Sequence, residues 1–176
     1  MTVLIVVVLN KMKEYSVWKV LVNILLGEEI FIVVSKEAFE SLNVFRQNQN
    51  SQTEACGVIM GERRGKHFYI TNFTLPMPTD IRSRYYCKRN IQGHQELVDL
   101  YHSQTNGSIQ YLGEWHSHPE VNAIPSQKDL NEWPITYNYL HAKEHINEMV
   151  CLILGTKNDW LGLYYNGKLY TSSLTK

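Results

Sequence analysis

His116-Ser-His118-Pro-Glu-Val-Asn-Ala-Ile-Pro-Ser126-Gln-Lys-Asp129 gathers two imidazoles, a hydroxyl and a carboxylate within fourteen residues. On a strand, residues two apart point to the same face, so His116 and His118 present both rings to one place. Pro119 and Pro125 bracket a loop, and a helix is expected to begin near Ser126. Asp129 then comes from the first turn of that helix. Two histidines and one carboxylate hold a single cation and leave a fourth position for water, the arrangement that separates catalytic zinc from closed structural zinc. Taken singly, each piece has a plainer reading. An H-x-H on a strand is two polar residues on a solvated face, and Ser126-x-x-Asp129 is a helix capping box. Their conjunction favours the metal.

Working outward, residues 109–118 read as a central strand. By strict alternation Tyr111 and Trp115 point away from the histidines and anchor the core, while Glu114 shares the histidine side. Glu114 is thus either a rival general base or, more simply, a partner that orients a histidine. Upstream, residues 90–102 form a helix whose Ile91, His94, Leu97, Val98 and Tyr101 share a face. Residues 58–60 and 68–73 flank Gly61-Glu-Arg-Arg-Gly65 as a hairpin with glycine at both ends of its turn. Residues 29–34 form a strand, and Ser35 caps a helix marked by Ala38, Leu42 and Phe45. Downstream, Pro134 ends or kinks the helix begun at Ser126. Strands follow at 149–154, 160–165 and 168–172, with Asn166-Gly167 as a two-residue turn. The sum is a mixed α/β (α+β) single domain over residues 1–176, with one curved, mostly antiparallel sheet flanked by helices.

Hydrophobic residues make up 44% of the 176 and charged ones 19%, the balance of a soluble globular domain. Formal net charge is zero, which argues against nucleic acid or an anionic membrane as partner. The apolar residues 1–9 are too few to span a membrane and lack the basic start and cleavage site of a signal peptide. They read as a buried strand or a segment packed on a partner, and the protein is expected to be cytoplasmic. Cys56, Cys87 and Cys151 form no C-x-x-C pair and read as unpaired buried residues in a reducing compartment. His141 and His145, at a helical spacing of four, could chelate a metal, but no H-E-x-x-H pattern surrounds them and the plainer, non-ligand reading is preferred.

His-Ser-His-Pro, six residues, Ser126, two residues and Asp129 resembles the JAMM motif of the JAB/MPN metalloproteases without insertion or deletion. The upstream Thr53-Glu54-Ala-Cys-Gly57-Val-Ile-Met-Gly61 resembles the family's other signature, although many members carry glycine at the position of Ala55 or Cys56. The two motifs and what lies between cover residues 29 to 165. The resemblance implies an MPN/JAB-like (cytidine-deaminase-like) fold and one Zn2+ per chain on His116, His118 and Asp129. It further implies Glu54 as general acid/base on the attacking water, in preference to Glu114, and Ser126 as the donor to the oxyanion. Tyr111-Leu-Gly-Glu-Trp-His-Ser-His-Pro-Glu120, Pro78-Thr-Asp80, Ser83, Tyr86-Cys-Lys-Arg89 and His94 look like small prokaryotic members, notably the deconjugating JAB peptidases of bacterial CBASS anti-phage operons. That subgroup implies a protein substrate with an extended C-terminal tail, a ubiquitin-like modifier or a conjugated cyclic-nucleotide synthase. Ubiquitin-activating-like and conjugating-like enzymes would be its operon partners. Sulfur-carrier-processing and phage-tail-associated JAB peptidases are the alternatives, and a non-catalytic MPN scaffold is the alternative of another class. A zinc nucleobase deaminase would need H-x-E and P-C-x-x-C, which the chain lacks.

Overall fold

The computed structural model describes residues 15–21, 29–171 and 173–174. In chain order the strands are β1 (Tyr15–Leu21), β2 (Glu29–Ser35), β3 (Cys56–Arg64), β4 (His67–Phe73), β5 (Ile81–Ser83), β6 (Tyr86–Lys88), β7 (Gln110–Ser117), β8 (Glu148–Leu154), β9 (Trp160–Tyr165), β10 (Lys168–Thr171) and β11 (Ser173–Leu174). The helices are α1 (Lys36–Ser41), α2 (Ile91–Gln104) and α3 (Gln127–Glu144). β5 and β6 pair only with each other, and the rest form one sheet in the order β10-β9-β8-β7-β3-β4-β2-β1-β11. Two pairings, β2 with β4 and β7 with β8, are parallel; the others described are antiparallel, as expected. β1 returns close to β9 and β10, which curls the sheet. The apolar run of residues 1–9 lies outside the described residues.

Each face of the sheet has its own core. One holds Ile30, Ile32, Ile59, Leu112, Trp115, Leu152 and Leu163, all at most 1% exposed. On the other, α3 lays Trp133 and Tyr137 over Met149, Cys151 and Ile153. α2 lays Val98 there over Val58 and Met60.

Several expected boundaries move. The hairpin turn contracts to Gly65-Lys66, with Gly65 at φ 62, and Gly61 falls inside β3. Ser35 does cap α1, accepting from the Ala38 N–H at 3.2 Å, but that helix stops at Ser41 and a 3-10 turn carries Phe45. Pro134 does not end α3: burying Trp133 and Tyr137 against the sheet outweighs one lost helical hydrogen bond. The alternation along β7 also breaks. Opposite Ile59 and Met60 the register slips, so that Gly113 and Tyr111 become successive partners and Leu112 is the extra residue of a bulge. Beyond the bulge parity reverses. Trp115 enters the first core, while Tyr111 packs with the helix-side clusters, on the side of Glu114 and His116.

Candidate metal centre

β7 ends at Ser117, and the site is built around that end. His116 is hydrogen-bonded into the sheet between Cys56 of β3 and Ile153 of β8. His118, just past the strand, is tied back by its N–H to the Leu154 carbonyl at 2.8 Å. Ser117 points the other way and is fully buried. Its Oγ accepts from the Ala55 N–H at 2.9 Å, and its own N–H donates to the Ala55 carbonyl at 2.9 Å. The serine inside H-S-H therefore sets the register between the Glu54 segment and the histidines. Sequence reading left it unassigned, although strand parity already pointed it inward.

The two Nε2 atoms lie 3.0 Å apart. Asp129 Oδ1 lies 3.3 Å from His116 Nε2, and Asp129 Oδ2 lies 3.5 Å from His118 Nε2. Tetrahedral ligands about 2.0–2.1 Å from one zinc stand roughly 3.3 Å apart, so these three side chains fit a zinc ion. Their ligand atoms are all within 4.8 Å of one another, and no other such cluster occurs among the described residues. Burial, and then the neighbouring His116, push the His118 pKa down, which favours the neutral imidazole that a metal needs. Burial by itself would raise Asp129, but hydrogen bonds and charge from His116, with further hydrogen bonds from Ser126, hold its carboxyl well below the usual carboxylate range. Trp133, stacked on Trp160 at 5.5 Å, sits 6.0 Å from the His116 ring and walls that side.

Both readings of Ser126 meet here. Its Oγ accepts from the Asp129 N–H at 3.3 Å and donates to Asp129 Oδ2 at 2.7 Å, and its N–H donates to the same oxygen at 2.7 Å. The capping box is thus real, and it holds the candidate ligand Asp129 in place. Glu54 is 8% exposed and lines the same cavity of about 380 Å³ as the histidines, Ser126 and Asp129. Burial raises its pKa to about 7, opposed by His116 and reinforced by Asp129. A buried carboxyl poised near neutrality suits a group that must both take and return a proton.

Glu114 does not orient a histidine as the simpler expectation held. It forms a tight ion pair with Arg89, which also donates to the Gly57 carbonyl at 3.2 Å. The cysteines bring a second correction. Cys56 and Cys87 form a disulfide across 31 residues, and Cys151 alone is free and buried. No C-x-x-C spacing could announce that pair, because only the fold of β5 and β6 over β3 brings the two Cα atoms to 6.1 Å. Tyr86, Cys87 and Arg89 line the cavity, with Lys128 Nζ 4.0 Å from the centre of the Tyr86 ring. His141 stacks on Tyr137 at 6.0 Å, and His145 is the left-handed C-cap of α3 at φ 55.

A family model described as prokaryotic homologs of the JAB domain matches residues 43–159, which carry every residue of this centre. The chain belongs to the prokaryotic JAB family. Among its relatives, a CD-NTase/cGAS isopeptidase of Escherichia coli (strain TW11681) is 39% identical over 74% of this chain and 80% of its own length. One of the same description from Vibrio cholerae serotype O1 is 34% identical over 76% and 82%. An AMSH-like protease, sst2 of Schizosaccharomyces pombe, is 20% identical over 70% of this chain but only 25% of its own. A protein of Desulfitobacterium hafniense solved in solution superposes with a TM-score of 0.51 at 20% identity, over 81% of this chain and 88% of that one, a likeness of fold. With the JAB model, it makes the JAB-like α+β fold expected from the sequence the observed one.

Proposed function

We propose that the chain is a zinc-dependent isopeptidase that cleaves the amide bond after the C-terminal tail of a conjugated protein, with a conjugated cyclic-nucleotide synthase of a bacterial anti-phage system as substrate. The observation that carries this reading is the convergence of His116, His118 and Asp129 on one point beside the buried Glu54 carboxyl. The substrate class rests on the relatives described as CD-NTase/cGAS isopeptidases. Zinc, when bound, supplies the Lewis acid that polarises the scissile carbonyl and acidifies a water. Glu54 takes the proton of the attacking water and returns it to the leaving amine. Ser126, held at its helix cap beside Asp129, would direct its hydroxyl toward the oxyanion. Burial favours the neutral form of His118, and the hydrogen bonds on Asp129 favour its ionised form, the states in which each would hold the ion.

The test uses a CD-NTase joined through its C-terminal residue to a fluorescent reporter. The wild-type protein should bind one zinc per chain and release the reporter. His118→Ala should lose the zinc. Glu54→Gln should keep it and lose at least about 10³-fold in kcat, as expected for a group acting on the reacting proton. A wild-type protein that takes up no zinc from zinc-replete buffer would sink the peptidase reading and leave the scaffold in its place. Retained zinc without release would remove only this substrate.

A further inference from the structure

Glu54 stands two residues before the first β3–β7 pair, and a different piece of the chain holds it. Its N–H donates to the Ser83 carbonyl at 2.8 Å, and its carbonyl accepts from Arg82 Nε at 2.5 Å. Both of its backbone groups are thus gripped by β5 of the small hairpin. Contacts at its base, its tip and its second strand hold that hairpin in turn. At its base, Asp80 accepts from the Met77 and Asn90 N–H groups at 2.7 and 2.8 Å. Asp80 also meets the buried His94 at 3.2 Å, and the opposite His94 nitrogen meets Thr74 Oγ1 at 2.6 Å. At its tip, the Arg84 carbonyl accepts from the Gln47 amide at 2.8 Å. The covalent tie is Cys87 of β6 to Cys56, two residues after Glu54.

We propose that the Cys56–Cys87 disulfide and Arg82 are positioning groups for Glu54, so that the oxidised chain is the fast enzyme and reduction slows its turnover. The disulfide fixes β6 to the first residue of β3, and β6 carries β5, whose Ser83 and Arg82 set the backbone of Glu54. Cutting the bond leaves the hairpin on non-covalent contacts alone, and the carboxyl then samples orientations that miss the attacking water. The bond lines the catalytic cavity, with Cys87 half-buried and Cys56 7% exposed, so a small dithiol reaches the Cys87 sulfur first. A thiolate of that reductant attacks Cys87, and Cys56 leaves as a thiolate and takes up a proton. The reductant's second thiol then releases Cys87 and is itself oxidised to a disulfide, two electrons and two protons in all. In a reducing compartment such a bond is transient and responsive, and the hairpin would turn that response into a rate.

The kinetic arm rests on the peptidase reading; the structural arm does not. Protein purified without reductant should yield a linked Cys56–Cys87 peptide by mass spectrometry. In Cys87→Ser, amide exchange at Glu54 should quicken at least 10-fold while β7 and β8 stay protected. On the CD-NTase reporter fusion, kcat should fall about 10-fold, with KM and zinc content within twofold of wild type. A fold-wide role would instead lower folded yield and zinc together and leave kcat per zinc-loaded chain unchanged. Arg82→Gln, which keeps the disulfide, should lower kcat by a smaller factor, and Arg82→Lys should recover part of it. The proposal is overturned if no linked peptide forms, or if Glu54 exchange and kcat in Cys87→Ser match the wild type. Should no form of the protein cleave the fusion, the substrate assignment falls, and the exchange measurement still decides the clamp.

Discussion

Ionising Glu54 costs more in the folded chain than in the unfolded one, because burial raises its pKa from 4.5 to about 7. A carboxyl shifted upward binds its proton more tightly when folded. No penalty exists below pH 4.5; it grows as pH rises from 4.5 to about 7 and is constant above. The full shift corresponds to roughly 3 kcal/mol, and water entering the cavity reduces that to about 1–2 kcal/mol. Metal-free Glu54→Gln should therefore be more stable than metal-free wild type by about this amount at pH 8, with the gap closing by pH 4.5, as read from urea midpoints. An unchanged gap across that range would mean that the carboxyl is solvated in the folded state. The identity of this residue and of the three candidate ligands was legible in the sequence, because the motif keeps all four. Its environment was not, since burial depends on the cavity wall supplied by β6 and α3.

At the scale of elements, the close packing of β3 on β7 depends on a missing side chain. A Cβ on Gly57 would lie 2.0 Å from the Thr74 carbonyl oxygen and 2.5 Å from Trp115 Nε1. Those two atoms are hydrogen-bonded to each other at 3.0 Å. Gly57→Ala must push β3 away from Trp115 and break that bond, a cost of about 2–4 kcal/mol by thermal or chemical denaturation. A loss under about 0.5 kcal/mol would show that the strand yields without cost. At Gly113 the obstacle is the Val150 carbonyl, 1.9 Å from a built Cβ, where β7 runs parallel to β8 beside the bulge. Strand identity was readable from β-branched runs and turn residues. The bulge at Leu112 was not, because one inserted residue leaves no compositional mark and yet sends Tyr111 to the helix side.

For the molecule as a whole, a bound metal would join the end of β7 to the start of α3 and so favour the folded chain. At a free zinc concentration about 100-fold above Kd the gain is about 2.7 kcal/mol. For a chain of this size that is a rise in Tm of roughly 5–10 °C. Zinc should therefore raise the Tm of chelator-treated wild type by that amount and leave His118→Ala unmoved. An equal rise in both would place the ion elsewhere. Among the described residues no helix is long and apolar enough to cross a membrane.

The sequence by itself determined the candidate ligand cluster, the helix cap at Ser126 and the mixed sheet. Each of these is written in short-range spacing: period two on β7, S-x-x-D at the start of α3, Asn166-Gly167 at the last turn. Tertiary structure alone decided three things: the disulfide between Cys56 and Cys87, the pairing of Glu114 with Arg89 in place of a histidine, and the grip of β5 on Glu54. The physical reason is common to all three. Their partners lie 25 to 31 residues apart in the chain, and they meet because β5 and β6 fold over the edge of the site, a closure that local periodicity does not encode.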